Sequence, residues 1–200
     1  MRKTGRIGVL VSGNGTNLQS MIDAIERKEL NAEIAVVISN RPEASALERA
    51  RKKKIPTAVV TSQEFPDREA FDQKLKALLE EAHVDLVALA GFMRILTASF
   101  VRHYQGRLMN IHPSLLPAFP GLHAVRQALN SGAKVTGCTL HFVDEGVDSG
   151  PIIGQRVVPI QKTDNEETLT ERIHSEEHKL YLKGIQSFFD GKLSPKGKGL

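Results

Sequence analysis

The chain holds one cysteine and no tryptophan in 200 residues, two tyrosines, and only 5% aromatic residues in all. A single thiol, Cys138, excludes an internal disulfide framework and a multi-cysteine zinc site. Scarce aromatics leave little for a nucleic-acid reader, which needs ring platforms or a recognition helix. The longest apolar stretch, Leu86 to Met93, covers eight positions, against the ~20 that a spanning helix needs. Met1 to Arg6 is basic and has no small-residue cleavage site, so no signal or transit peptide is expected. Neither a nucleic acid nor a membrane is therefore an expected partner, and the cytoplasm is the expected location.

What remains is ordinary for a globular chain, with 40% hydrophobic and 25% charged residues. A chain of this length buries roughly 70% of its unfolded surface and needs no staple. The net charge is +4, with much of the excess in Arg51 to Lys54 and in Lys192, Lys196 and Lys198. The first run closes a helix, where cations complement the macrodipole. A modest positive field of this kind favours small anionic substrates.

Short β-rich runs alternate with helical patterns, the signature of a mostly parallel sheet flanked by helices. Strands are predicted at Arg6–Ser12, Ile34–Ser39, Thr57–Val60, Leu86–Leu89 and Leu108–His112, and helices at Asn17–Lys28, Ala44–Lys54, Asp67–Ala82 and Thr97–Tyr104. Asp67 and Thr97 read as helix caps. After a proline-rich loop, a helix at Ala124–Asn130 precedes a C-terminal antiparallel hairpin, Val135–Val143 with Ile152–Val158, and a long helix from Glu166 to Asp190. The expected architecture is one Rossmann-like α/β domain over residues 1–200, ending in a flexible tail, 194–200.

Three segments carry candidate chemistry. Ser12-Gly13-Asn14-Gly15-Thr16-Asn17 lies between the first strand and helix, at a carboxyl end where α/β sheets collect ligands. Glycines permit close approach, and a helix N-terminus attracts anions. The loop matches neither the dinucleotide nor the ATP fingerprint; it reads as a mononucleotide phosphate site or as a plain strand-to-helix turn. Asn110-Ile111-His112-Pro113 ends the fifth strand, and alternation puts Asn110 and His112 on one face. An amide and an imidazolium there can both donate to an oxygen gaining negative charge. Asp144 to Pro151 is an acidic turn, either simple turn chemistry or a carboxylate that favours the charged imidazole. His174 and His178 are spaced for zinc but lack a third ligand nearby, so no metal is expected. His141 and Cys138 read as structural residues of the hairpin, the thiol having nothing to lower its pKa.

Together these segments resemble the glycinamide ribonucleotide formyltransferase family. The likeness rests on Val11-Ser12-Gly13-Asn14-Gly15-Thr16-Asn17, Ala90 to Leu96, Asn110 to Pro117 and Gly137 to Ile153, and runs through nearly the whole chain. It implies an enzyme of purine synthesis that moves a formyl group from 10-formyltetrahydrofolate, a co-substrate, to the amine of glycinamide ribonucleotide. By that resemblance the catalytic trio is Asn110, His112 and Asp148. The ribonucleotide falls on Gly15, Thr16 and Asn17 at its phosphate and on Glu177 at its ribose. The folate falls on Arg68, Met93, Arg94, Ile95, Leu96 and Asn110, and on the loop Asp144, Glu145, Gly146, Val147 and Asp148. A monomer or weak homodimer is expected. Ala118 stands where the family usually has lysine, and Leu182 where proline is common after Tyr181. A formyltetrahydrofolate hydrolase and a methionyl-tRNA formyltransferase share the trio but carry a further domain, which 200 residues are not expected to hold. A nucleotide sensor without chemistry would have lost Asn110, His112 and Asp148, and all are present.

Overall fold

The computed structural model describes residues 4–193, and the expected tail, 194–200, lies outside them. Contacts divide the chain into two compact units, one up to Met109 and one from Asn110.

In the first unit, β1 (Gly5–Val11) leads into α1 (Thr16–Glu26), β2 (Ala32–Ser39), α2 (Ser45–Lys52), β3 (Thr57–Val59), α3 (Arg68–Glu81), β4 (Leu86–Leu89) and α4 (Ala98–His103). β1 lies between β2 and β4 and pairs with both in parallel, and β3 pairs in parallel with the far side of β2. β1 and β4 are almost wholly buried, as strands covered on both faces must be, which explains why they read as unbroken apolar runs rather than alternating ones. Phe71, Leu75 and Leu79 form the buried stripe of α3. Both expected caps are made: the Asp67 carboxylate accepts from Ala70 N–H at 2.8 Å and the Thr97 hydroxyl from Phe100 N–H at 3.4 Å. α2 stops at Lys52, short of the expected Lys54, because Lys54 turns into the left-handed region at φ 57°. A short 3-10 turn at Ser62–Glu64 was not legible in the sequence pattern.

β5 (Leu108–His112) spans the boundary between the units. In the second unit come α5 (Ala124–Asn130), β6 (Val135–Phe142), β7 (Ile152–Pro159) and α6 (Glu166–Phe189). The expected hairpin forms: β6 and β7 run antiparallel from Val135 opposite Pro159 to His141 opposite Ile152. β6 is buried after its first residue, whereas β7 is largely exposed. α6 packs on both strands. It approaches β6 so closely at Gly184 that a Cβ there would lie 2.1 Å from Leu140 Cδ2. A capping box starts this helix, with the Asn165 side chain accepting from Thr168 N–H and Thr168 Oγ1 accepting from Asn165 N–H. Helical hydrogen bonding continues through Leu182, where a proline would interrupt it. The α/β class, mostly parallel with an antiparallel pair near the C-terminus, is as expected. Among the described residues no helix is long and apolar enough to cross a membrane.

Candidate active site

The glycine loop follows β1 directly. Gly15 caps α1 in the left-handed region, φ 71° and ψ 39°, and a Cβ there would stand 2.6 Å from the Cβ of Ala46. Both the dihedral and the close approach of α2 require glycine. α2 also holds the loop's carbonyls: Ala46 N–H donates to Gly13 O at 3.1 Å and Arg49 Nε to Asn14 O at 2.7 Å. With those oxygens turned toward α2, the loop leaves the start of α1 without a side-chain cap. The first intrahelical bond is Gln19 N–H to Gly15 O at 2.9 Å, so the N–H groups of the first turn, from Thr16 on, lie ahead of it. That is the local chemistry of an anion site.

Ser12 links this loop to the segment after β4. Its N–H donates to Gly91 O at 3.1 Å, and its hydroxyl accepts from Met93 N–H at 2.7 Å while donating to Asn40 Oδ1 at 2.6 Å. The Met93–Leu96 segment therefore starts beside the glycine loop. Arg68 Nη2 donates to Ile95 O at 2.9 Å, and the Arg94 guanidinium lies 4.6 Å from the centre of the Phe71 ring. Met93 and Ile95 are exposed at 59% and 63%, while Leu96 is buried. Asn40 was not singled out in the sequence; no motif marks an amide that acts by holding another residue's hydroxyl.

In the second unit the end of β5, the end of β6 and the acidic turn converge. His112 Nδ1 stands 3.2 Å from Asp148 Oδ2, and Nε2 donates to the Phe119 carbonyl at 2.8 Å. Both ring nitrogens face oxygen atoms. Asn110 Nδ2 donates to Asp148 Oδ1 at 3.4 Å, and the Gly121 N–H donates to Asp148 Oδ2 at 2.9 Å. Asp148 itself is left-handed, φ 51°, a conformation aspartate tolerates better than most residues. Burial alone would raise its carboxyl; the His141 ring, the Gly121 N–H and the His112 ring outweigh that and hold it below the usual carboxylate range.

Thus Asn110, His112 and Asp148 come together, although 38 positions separate Asn110 from Asp148. A fourth member joins them. His141 Nε2 lies 3.3 Å from Asn110 Nδ2 and 3.7 Å from Asp148 Oδ1, with Nδ1 donating to Phe142 O at 2.9 Å. The sequence had suggested a structural role for His141. Its signal was a polar residue in an otherwise buried strand, but only the neighbouring of β5 and β6 puts it beside Asn110.

The rest of the acidic turn is shaped by Asp144, whose Oδ1 accepts from Gly146 N–H at 3.1 Å and Ser149 Oγ at 2.8 Å. Glu145, Gly146 and Val147 are exposed at its tip. Ala118 is exposed and takes part through its backbone alone, its carbonyl accepting from Ser114 Oγ at 2.5 Å. Glu177 is 3% exposed and sits in the buried stripe of α6 with Leu169, Ile173 and Tyr181. Its Oε2 lies 4.0 Å from His174 Nε2, one turn back on the same helix. The neighbouring rings of His174 and His178 are parallel within 15°, and among the described residues no group of three or more His, Cys, Asp or Glu could hold a metal ion. Cys138 is buried, and burial pushes its thiol up to about 12, as befits a packed residue rather than a nucleophile.

An amide and a carboxylate-paired imidazole thus stand together at one strand end of an α/β scaffold. The chain belongs to the formyl transferase family, whose model matches residues 5–185. It is 46% identical over 187 residues to the phosphoribosylglycinamide formyltransferase of Escherichia coli strain K12, a match covering 94% of this chain and 88% of that one. It is 50% identical over 188 residues to the trifunctional purine biosynthetic protein adenosine-3 of Drosophila melanogaster; there the match covers 93% of this chain but spans only 14% of the relative's length. The crystal structure of glycinamide ribonucleotide transformylase 1 from Symbiobacterium toebii superposes with a TM-score of 0.95 at 47% identity, covering 98% of this chain and 92% of that one.

Proposed function

We propose that this chain transfers the formyl group of 10-formyltetrahydrofolate to the primary amine of glycinamide ribonucleotide, giving formylglycinamide ribonucleotide and tetrahydrofolate in purine synthesis. The observation that carries this reading is the meeting of Asn110, His112 and Asp148 in one hydrogen-bonded group. The likeness to enzymes named for this reaction supports the choice of acceptor.

In this reading the glycine loop holds the ribonucleotide phosphate on Gly15, Thr16 and Asn17, and Glu177 takes the ribose. Arg68, Met93 to Leu96, Asn110 and the Asp144 to Asp148 loop hold the folate. The acceptor amine attacks the formyl carbon, forming a new C–N bond as the carbonyl electron pair moves to oxygen. Asn110 donates to that oxyanion. His112 donates a charge-assisted bond from Nε2, the formyl oxygen taking the acceptor place that the Phe119 carbonyl holds at 2.8 Å. Asp148 keeps the imidazolium oriented through Nδ1. Collapse re-forms the carbonyl and breaks the bond to folate N10, which leaves with the proton released by the amine.

Consumption of 10-formyltetrahydrofolate by the pure protein, with and without glycinamide ribonucleotide, tests this. Turnover that requires the ribonucleotide is the expected result. Equal turnover without any amine would make the protein a hydrolase, and no turnover in either case would overturn both acceptor and donor.

A further inference from the structure

We infer that Asp72 is a positioning residue for the folate-side segment: its carboxylate fixes the Thr97 end of Met93–Leu96 and thereby sets the affinity for formyl folate. This rests on the reading that the segment faces the folate.

Residues 92–97 form neither helix nor strand, so no ladder sets their shape. Side chains do so instead. Ser12 holds the Met93 N–H at 2.7 Å, Arg68 holds the Ile95 carbonyl at 2.9 Å, and Asp72 Oδ2 accepts from Thr97 N–H at 2.6 Å. Arg68, Phe71 and Asp72 stand at i, i+3 and i+4 on α3, one face of one helix. That face meets Arg94, Ile95 and Thr97 in turn. Asp72 is 4% exposed, a costly place for a carboxylate that an apolar residue could fill. Burial raises its carboxyl above the ordinary range, against the opposing pull of the Thr97 bonds and the Arg68 guanidinium. Retaining an acid there gives the segment a rigid end at the residue that also caps α4. A segment already held in its binding shape does not have to be ordered by the ligand, and the gain appears in affinity rather than in the chemical step.

Steady-state kinetics of D72A, D72N and R68A test the inference. D72A is expected to raise KM for formyl folate about tenfold, with kcat and the ribonucleotide KM within about twofold of the parent. D72N keeps an acceptor for Thr97 N–H but loses the charge, and is expected to raise the folate KM about threefold. Should D72A fail to fold, as judged by its melting curve, D72N carries the test alone. An unchanged folate KM in D72N, or equal rises in both KM values, would overturn the role. R68A separates the two readings. A raised folate KM in R68A beside an unchanged one in D72N would remove Asp72 and leave the folate reading standing. An unchanged folate KM in R68A and in both Asp72 variants would remove both readings.

Discussion

His112 divides its two nitrogens between a carboxylate and a backbone carbonyl, and the two ends of the ring have different work. The Nδ1 end is held by Asp148, and the Nε2 end is the one that can exchange an acceptor for a substrate oxygen. H112A removes the donor that the proposed mechanism uses and is expected to lower kcat by about 10²–10³-fold. Ribonucleotide binding, measured by calorimetry, should stay close to the parent value, because the proposed phosphate site is built from other residues. Full activity in H112A would remove the ring from the mechanism. Asp148 makes a separate prediction in acid. Its folded carboxyl lies below the ordinary value of 3.8, so the stability it contributes is complete above that pH and is lost as pH falls through the lower folded value. Denaturant melts of the parent and D148N should therefore differ most near neutrality and converge in strong acid. Alternation along β5 was enough to put Asn110 and His112 on one face. Asp148 and His141 were not readable in the same way, because their meeting depends on pairing and a turn far along the chain.

At the scale of elements, α2 shapes the glycine loop through the loop's backbone. Its Ala46 and Arg49 hold the carbonyls of the glycine loop, and the fit leaves no space for a side chain at Gly15. G15A combines a left-handed dihedral with a 2.6 Å collision, and is expected to cost about 1–3 kcal/mol of stability. It should also raise the ribonucleotide KM; a parent-like melt and KM would mean that the loop relaxes freely. The capping box of α6 can be tested independently of the chemistry, since N165A should cost about 1 kcal/mol by urea denaturation. Strand and helix periods, together with Asp67 and Thr97 as caps, made the element order legible before the structure. The turn at Ser62–Glu64 has neither period nor cap, and the clamp on residues 92–97 consists of single hydrogen bonds that leave no pattern in sequence. Glu177 is intermediate: its place in an apolar stripe is readable, but its burial is not.

For the whole molecule, the net charge of +4 and the proposed phosphate site are both compatible with a small anionic substrate. Saturation with glycinamide ribonucleotide at about 100 times Kd should stabilise the fold by about 2.7 kcal/mol, observable as a rise in Tm. A Tm unmoved by the ribonucleotide would mean that the folded protein does not bind it. The α/β class was legible throughout, because parallel strands covered on both faces announce themselves as apolar runs such as Ile7 to Val11. The sparseness of cysteine has one more consequence. Cys138 is sealed in β6, with its thiol pushed up to about 12. An alkylating reagent can reach it only when that strand leaves its neighbours. In native buffer the labelling rate therefore acts as a clock for the opening of β6, the strand that carries His141. Formyl folate and ribonucleotide added together should slow that clock if the bound molecules lock this part of the protein shut.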